Sequence, residues 1–355
     1  MRETIFLTGA SGLIGGVLLD RFLDRDVGLL IARHEAMPTL RRGRAEVEVV
    51  DCDLTKSRFG LTEAEYRRLA RKTQSILHCA GRTDFAATRK AAREANVRQV
   101  ENLLAFVGAA PRIRRVALLS TIYVAGKRTG IIRECELTHR AGFVNEYERS
   151  KYEAEQIVRQ AMRRLPISVY RLSTILSSRE GCISRLGAIH HALRFFHAGL
   201  VPMIPGAPAS EVDLISSDYA ADAIDALFAS FSACATHHIA AGSKNRIPLQ
   251  AFVDRTADLF AANDSRWKAF ASPPIVALKT FRRLQRTVEL ANDAVMTQVM
   301  RTMSRFAPQL AYPKTFDDGP TREILRAGGV EEDRFDAFYP RFVGKAIASR
   351  WGKRA

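Results

Sequence analysis

Residues 4–15, TIFLTGASGLIG, contain the local pattern that decides the fold. The apolar, β-branched run TIFLT leads directly into three glycines spaced as GxxGxxG, and the amphipathic pattern LIGGVLLDRFLD begins within them. A strand, a glycine turn and a helix in this order are typical of a dinucleotide-phosphate site, because the helix amino terminus offers free N–H groups to a pyrophosphate. The alternative is a purely structural glycine-rich turn. The predicted binding residues are Gly9, Ser11, Gly12, Leu13, Ile14 and Gly15.

Short β-rich runs alternate with helical patterns over the first 175 residues. Runs such as LLIA, VALLS and SVYRL are continuously apolar, which is typical of strands buried on both faces of a parallel sheet. This alternation predicts an α/β fold with a Rossmann-type doubly wound parallel sheet, whose ligands lie at the carboxyl ends of the strands. The predicted strands are 4–8, 27–32, 47–51, 75–79, 115–120 and 167–172.

The alternation weakens after about residue 176, which suggests a change of organisation. A loop rich in proline and glycine at 199–208 precedes the helix-like run DYAADAIDALFAS, and such a segment is suited to capping a cleft. From about Pro248 the chain is mostly helical in pattern and ends in the basic run RWGKRA. We predict a catalytic domain at 1–245, with its core at 1–175 and cap elements at 176–245. A mostly helical substrate lobe follows at 246–355.

Composition excludes several classes of protein. The five cysteines are widely spaced without a CxxC pair, so neither a disulfide framework nor a metal site is predicted. No apolar stretch reaches the roughly 18 residues of a spanning helix, and no secretory signal is recognisable, so we expect a cytoplasmic protein. The formal net charge of +16 is scattered without a nucleic-acid-binding motif, which favours acidic ligands over nucleic acid. Peripheral membrane contact and a homo-oligomeric state stay open.

Arg33 ends the second predicted strand, where NAD enzymes commonly place an acid on the ribose 2′-hydroxyl. A guanidinium suits a 2′-phosphate instead, so the position favours NADPH, with a further hydroxyl contact from Ser11. The alternatives are an ordinary surface arginine and, because Glu35 is near, NAD. Asp53 follows the third strand and suits the adenine amino group, although capping of a turn explains it nearly as well.

Tyr147 and Lys151 form a YxxxK pattern inside a helical segment, which brings their side chains to one helix face. A nearby ammonium lowers the pKa of a phenol, so we expect the tyrosine to exchange a proton near neutral pH. A second YxxxK joins Tyr123 to Lys127, but Gly126 interrupts it and it starts at a strand end. We expect no helix there and assign the chemistry to Tyr147.

These motifs together resemble the extended short-chain dehydrogenase/reductase family. Further strings look more like its thioester-reductase and fatty acyl-CoA reductase ("male sterility") branch. The family strings are TGASGLIG at 8–15, HCAG at 78–81, Asn96-Val97, LLSTIYVAG at 118–126 and YERSK at 147–151. The branch strings are DLTKSRFGLTEAEYRRLA at 53–70, ILHCAGRTDF at 76–85, NEYERSKYEAE at 145–155, YRLSTILSSREG at 170–181 and VDLISSDYAADAI at 212–224.

The resemblance implies roles for residues that spacing alone leaves open. Thr121, Tyr147 and Lys151 fill the catalytic positions, and Asn96 supports the central helix. The implied cofactor contacts are Arg33, Asp53, Leu54, Ala80, Gly81, Asn96, Tyr147, Lys151, Leu172, Ser173 and Thr174, besides the glycine turn. Leu172 departs from the usual proline, Gly81 from the alanine common in the branch, and DLISSDY from the usual PVDY.

The resemblance implies an NADPH-dependent oxidoreductase that reduces an acyl thioester to an aldehyde and, with a second hydride, an alcohol. The acyl group would arrive from outside as a CoA or carrier-protein thioester. The apolar run LRFFHAGLVPMI at 193–204 suggests a medium or long chain, although core packing also explains it. The alternatives are a ketone or hydroxysteroid-like dehydrogenase, a sugar-nucleotide epimerase or reductase, and a cofactor-sensing protein that has lost catalysis.

Overall fold

The computed structural model describes residues 2–34, 39–183 and 186–352, so Glu35 and the last three residues lie outside it. The strands are β1 (Thr4–Thr8), β2 (Gly28–Arg33), β3 (Glu46–Asp51), β4 (Ser75–His78), β5 (Arg115–Thr121), β6 (Gly130–Ile132), β7 (Ile167–Leu172), β8 (Thr174–Ile175), β9 (Ile204–Pro205), β10 (Glu211–Val212), β11 (Leu214–Ile215), β12 (Thr236–Ile239), β13 (Ile247–Pro248), β14 (Ile275–Val276) and β15 (Lys314–Phe316). The helices are α1 (Leu13–Leu23), α2 (Glu63–Lys72), α3 (Arg89–Arg93), α4 (Gln99–Ala109), α5 (Glu146–Ala161), α6 (Ala188–His197), α7 (Ser217–Ala229), α8 (Leu249–Asn263), α9 (Leu278–Ala291), α10 (Ala294–Ser304), α11 (Gly319–Ala327) and α12 (Phe335–Ala348).

In the described part of the chain, seven strands form one parallel sheet in the order β12-β7-β5-β4-β1-β2-β3. The predicted doubly wound fold is confirmed. All six predicted strands are present, with ends that move by at most two residues. From β1 the chain adds strands first on one side (β2, β3) and then on the other (β4, β5, β7, β12). The carboxyl ends of β1 and β4 lie where this order reverses, so they border the crevice in which such folds bind ligands.

Helices cover both faces of this sheet, since its central strands, such as β1 and β5, are buried on both sides. On one face α1 packs against α7, where Phe22 lies edge-on to Phe228. On the other face α2, α4 and α5 enclose a cluster that includes Phe59 and Phe106. Both β12 and α7 fall in the segment predicted to supply cap elements. In the structure they complete the sheet and cover one of its faces.

The rest of the chain forms a lobe with its own core. Buried aromatic side chains from α6, α8 and α12 meet there, including Phe196, Phe260 and Phe342. Three short strand pairings connect segments of the lobe and the loops of the sheet domain: β9 with β14, β10 with β13 and β6 with β15. The last pairing sets the lobe directly beside the residues that follow β5.

Candidate active site

The glycine turn between β1 and α1 has the geometry that a close-approaching phosphate requires. Gly9 has a φ of +71°, and a Cβ there would lie 2.5 Å from the Ala80 nitrogen. A Cβ on Gly15 would lie 2.0 Å from the Gly9 oxygen, so neither position accepts a side chain. Gly12 caps α1 without a side-chain hydrogen bond, which leaves the N–H groups of Leu13 and its neighbours free for an anion. These residues fit a dinucleotide pyrophosphate.

Arg33 ends β2 as predicted, and its guanidinium already has a partner. Its Nε and Nη2 donate to the two carboxylate oxygens of Asp51 at 2.5 and 2.7 Å, because Arg33 and Asp51 are paired in the parallel register of β2 and β3. This ion pair raises the pKa of Arg33 and lowers that of Asp51. A 2′-phosphate at this strand end would therefore compete with a carboxylate for the same guanidinium.

Asp53 makes the turn contacts that the alternative interpretation described. Its Oδ1 accepts hydrogen bonds from the Thr55 backbone nitrogen at 3.0 Å and from the Thr55 hydroxyl at 2.6 Å. The following Leu54 is buried, and its carbonyl accepts from Asn102 Nδ2 at 2.8 Å. Asp53 therefore organises the loop after β3 whether or not it also contacts an adenine.

Tyr147 and Thr121 lie in direct contact. Tyr147 is in the first turn of α5, Thr121 ends β5, and the hydroxyls of Thr121 and Thr83 lie close enough to the phenol to lower its pKa. The Phe85 ring packs edge-on against the Tyr147 ring, with 5.2 Å between centroids. The two predicted catalytic hydroxyls thus share one buried pocket at the carboxyl end of the sheet.

Lys151 lies one helical turn after Tyr147 and is also buried. Its Nζ donates to the Leu119 carbonyl at 2.8 Å, and burial lowers its pKa to about 8. The pKa of Tyr147 is raised by burial, which is opposite to the lowering that we expect from a neighbouring ammonium. The physical reason is that desolvation disfavours the charged form of both groups and, for the phenol, outweighs the lowering by the hydroxyls of Thr83 and Thr121.

Asn96 supports this centre from a single π-helical turn, Glu94–Arg98, between α3 and α4. Its Nδ2 donates to Ser150 Oγ at 2.9 Å, and Ser150 donates to the Tyr147 carbonyl at 2.8 Å. A Cβ at Gly81 would lie 3.3 Å from Asn96 Oδ1 and 3.9 Å from Lys151 Nζ, so the loop of Ala80 and Gly81 borders the same centre. Single π turns are frequent at functional sites.

The segment Leu172-Ser173-Thr174 follows β7, directly beside the end of β5. Thr174 Oγ1 lies 2.8 Å from the phenolic oxygen of Tyr123, and burial raises the Tyr123 pKa to about 12. Tyr123 lies in a 3₁₀ turn, Ile122–Ala125, that ends at Gly126 with a φ of +56°. As expected, the second YxxxK does not lie in an α-helix. Its tyrosine instead hydrogen-bonds Thr174 in the segment after β7.

Sequence reasoning missed three polar groups at this centre. Thr83 contacts Tyr147, and His78 Nδ1 lies 2.9 Å from Thr8 Oγ1 across the ends of β1 and β4. Burial lowers the pKa of His78 to about 3, so it is neutral. Glu148 is buried beside Tyr147 with a pKa raised to about 7 by desolvation. The helix-start pattern NEYE at 145–148 was the available signal for Glu148, since Asn145 caps α5 and bonds this glutamate.

A family model for an NAD-binding domain, described as "Male sterility protein", matches residues 30–224, which is more than half of the 355 residues. The chain belongs to the male sterility protein family. The predicted branch is thereby confirmed, and with it a nicotinamide-binding oxidoreductase fold. The matched range contains Arg33, Thr121, Tyr147 and Lys151, although it begins after the glycine turn.

Solved structures and a curated relative extend the comparison. The terminal R domain from the myxalamid PKS-NRPS pathway superimposes with a TM-score of 0.78 at 20% identity, covering 99% of this chain and 92% of that one. A thiolation-reductase di-domain from an archaeal non-ribosomal peptide synthetase gives a TM-score of 0.72 at 17% identity, covering 100% and 77%. An isonitrile lipopeptide synthase from Streptomyces coeruleorubidus is 28% identical over 224 residues, which is 56% of this chain but 15% of the relative. This male sterility family chain therefore spans only a small part of that synthase.

The apolar run at 193–204, which suggested a medium or long acyl chain, lies mostly inside the lobe. Leu193, Phe196, Val201 and Ile204 are buried in the lobe core, so packing accounts for the larger part of this run. No helix of the described residues is long and apolar enough to cross a bilayer.

Proposed function

We propose that this chain is an NADPH-dependent reductase of an acyl thioester carried by CoA or by a carrier protein. The observation that carries the proposal is that the Tyr147 phenol and the Thr121 hydroxyl share one buried pocket, with Lys151 one helical turn from Tyr147. A pair of hydroxyl donors in a water-poor pocket is suited to a carbonyl oxygen that gains negative charge during reduction.

Each side chain then has a definite task. A bound nicotinamide supplies the hydride to the carbonyl carbon. Thr121 donates a hydrogen bond to the carbonyl oxygen, and Tyr147 transfers its phenolic proton to that oxygen as the charge develops. The Lys151 ammonium stabilises the phenolate that results and hydrogen-bonds the ribose hydroxyls.

The product of this first step is a hemithioacetal. Its carbonyl re-forms as the C–S bond breaks, the hydroxyl proton returns to Tyr147, and the leaving thiolate takes a proton from water. The products are an aldehyde and a free thiol. A second round on the aldehyde gives the alcohol.

The relatives support the choice of a thioester over other carbonyl compounds. One similar structure is described as a thiolation-reductase di-domain and another as a terminal R domain of a PKS-NRPS pathway. The chain covers a small fraction of the synthase it matches, so its carrier and acyl group stay part of the proposal. Because 193–204 is mostly core, the preference for a medium or long chain rests on Phe195, Leu200 and Met203, which are only partly buried.

Cofactor oxidation against a panel of substrates tests this function. The panel holds acyl-CoAs of increasing length, an acyl-loaded carrier protein, simple ketones and nucleotide sugars, each with NADPH and with NADH. We expect turnover with a thioester and NADPH. Reduction of ketones alone, or conversion of a nucleotide sugar without net cofactor oxidation, would move the chain to the dehydrogenase or epimerase alternatives.

A further inference from the structure

Glu148 follows the proposed acid Tyr147 directly, yet its carboxylate turns away from solvent and towards the C-terminal lobe. It is 1% exposed. Oε2 accepts from the Val144 nitrogen at 2.9 Å, and Oε1 accepts from Asn145 Nδ2 at 3.2 Å and from Gln309 Nε2 at 2.6 Å. All three partners are donors, so these bonds favour the ionised carboxylate and oppose the desolvation that raises its pKa to about 7.

Gln309 also hydrogen-bonds a second charged group, which is partly buried. While its Nε2 donates to Glu148, its Oε1 accepts from Lys314 Nζ at 2.7 Å. Lys314 also donates to the carbonyl of Gly126, at the end of the turn that begins after Thr121. A continuous series of hydrogen bonds therefore runs from the helix of Tyr147, through the two lobe residues Gln309 and Lys314, to the turn that follows Thr121.

Two further contacts join the lobe to the start of α5 and to the strand that follows the turn. Asn145, the cap of α5, donates from Nδ2 to the Arg305 carbonyl at 3.0 Å. Beyond the turn, β15 pairs with β6 in parallel, and the Gly130 nitrogen donates to the Pro313 carbonyl at 3.0 Å. The lobe thus contacts both segments that carry the proposed catalytic hydroxyls, although it supplies neither hydroxyl.

We propose that Glu148, Gln309 and Lys314 form a positioning relay by which the C-terminal lobe sets the distance between Tyr147 and Thr121. The role rests on the proposed reductase chemistry of those two hydroxyls. Its physical basis is that the lobe is bonded to both segments at once, and a connected polar network with little access to water fixes one arrangement of the groups it joins. A displacement of about 1 Å at such a centre is enough to cost roughly a hundredfold in rate.

Hydrogen exchange measured by mass spectrometry tests the relay without any substrate. Gln309→Met removes both side-chain bonds at nearly constant size. We expect faster exchange in peptides covering 144–152 and 119–127. The matched control is Thr315→Val, next to Lys314 in strand β15, because the Thr315 hydroxyl bonds Glu211 at 2.8 Å and takes no part in the series from Glu148 to Gly126. We expect the control to leave both peptides unchanged.

Turnover measures the consequence for catalysis. Gln309→Met should lower kcat by about tenfold or more, with KM values for cofactor and thioester within about twofold of the parent. It should also move the acid limb of the kcat profile to higher pH, because a donor that favours ionised Glu148 is lost. The variant leaves in place the other charged and titratable groups that face Glu148 and Lys314, which are Lys127, Arg128, His139, Tyr123 and Tyr147.

The two readouts separate the relay from the proposed function. Faster exchange in both peptides, with no thioester reduced even by the parent protein, would keep the relay and reject the function. Exchange no different from that of Thr315→Val, or an equal loss of kcat in both variants, would overturn the relay. If Gln309→Met does not fold, Gln309→Asn keeps the donor and acceptor but shortens their reach, and the same outcomes apply to it.

Discussion

Replacing Tyr147 with phenylalanine removes the phenolic oxygen and leaves the ring, which still packs edge-on against Phe85. The lost oxygen lies beside the hydroxyls of Thr121 and Thr83, which lower the pKa of the phenol. A hydrogen bond contributes about 0.5–1.5 kcal/mol net, so losing the interaction with both hydroxyls should cost at most about 3 kcal/mol of stability. We therefore expect a folded protein with a modestly lowered melting temperature, in which effects on turnover can be measured.

The effect on turnover should be larger than the effect on stability. A positioned acid typically contributes about 10²–10⁴-fold, so kcat should fall at least about a hundredfold, equivalent to about 2.7 kcal/mol of transition-state stabilisation. Cofactor affinity should stay nearly constant, because the proposed ribose contact is made by Lys151. Lys151→Ala should damage both binding and turnover.

Stopped-flow cofactor oxidation with saturating thioester measures the chemical step, and titration of cofactor fluorescence measures binding. The control is Tyr123→Phe, which loses only the bond to Thr174 Oγ1 and should cost less than about tenfold in turnover. A larger loss in Tyr123→Phe than in Tyr147→Phe would refute the assignment of the acid.

Three further outcomes follow from the geometry. Arg33→Ala should weaken NADPH binding roughly tenfold and leave NADH binding unchanged. Asp51→Asn should strengthen NADPH binding, because Asp51 is bonded to the same guanidinium. Fluorescence titrations that show equal changes for both cofactors would argue against this assignment. Gly15→Ala should abolish cofactor binding in a folded protein, since its Cβ would lie 2.0 Å from the Gly9 oxygen; calorimetric titration with normal affinity would contradict it. Burial lowers the pKa of Lys151 to about 8, so the ammonium is lost as the pH rises through that value and kcat/KM should fall above about pH 8. A profile of kcat/KM that stays flat to about pH 10 would be inconsistent with a role for the charged Lys151.

Local pattern was sufficient for the nucleotide-binding half of the fold. The run TIFLT, the glycines after it and the amphipathic α1 are adjacent in sequence, so their arrangement could be predicted without tertiary information. The strand β12 was missed because THHI is short and contains two histidines, and it is stabilised by pairing with β7 and by contacts of those histidines. No local pattern marks such a strand.

The same difference between local pattern and tertiary packing applies to the site. Tyr147 and Lys151 are one turn apart on a single helix, and the motif alone places them together. The bond between Gln309 and Glu148 joins residues 161 positions apart, and the pairing of Arg33 with Asp51 depends on the register between β2 and β3. The raised pKa of Tyr147 likewise depends on the depth of its pocket. These properties come from packing, which one sequence does not report.

The most direct test of the reductase proposal is the stoichiometry of thiol release. Purified protein is incubated with NADPH and hexadecanoyl-CoA or hexadecanoyl carrier protein, and free thiol, oxidised cofactor, aldehyde and alcohol are quantified together. The account predicts thiol release that requires both NADPH and Tyr147. It also predicts one NADPH oxidised for each thiol if the aldehyde is released, and two if the alcohol is formed. Clear reduction of a ketone or free aldehyde, with no thiol released from either donor, would contradict the thioester assignment.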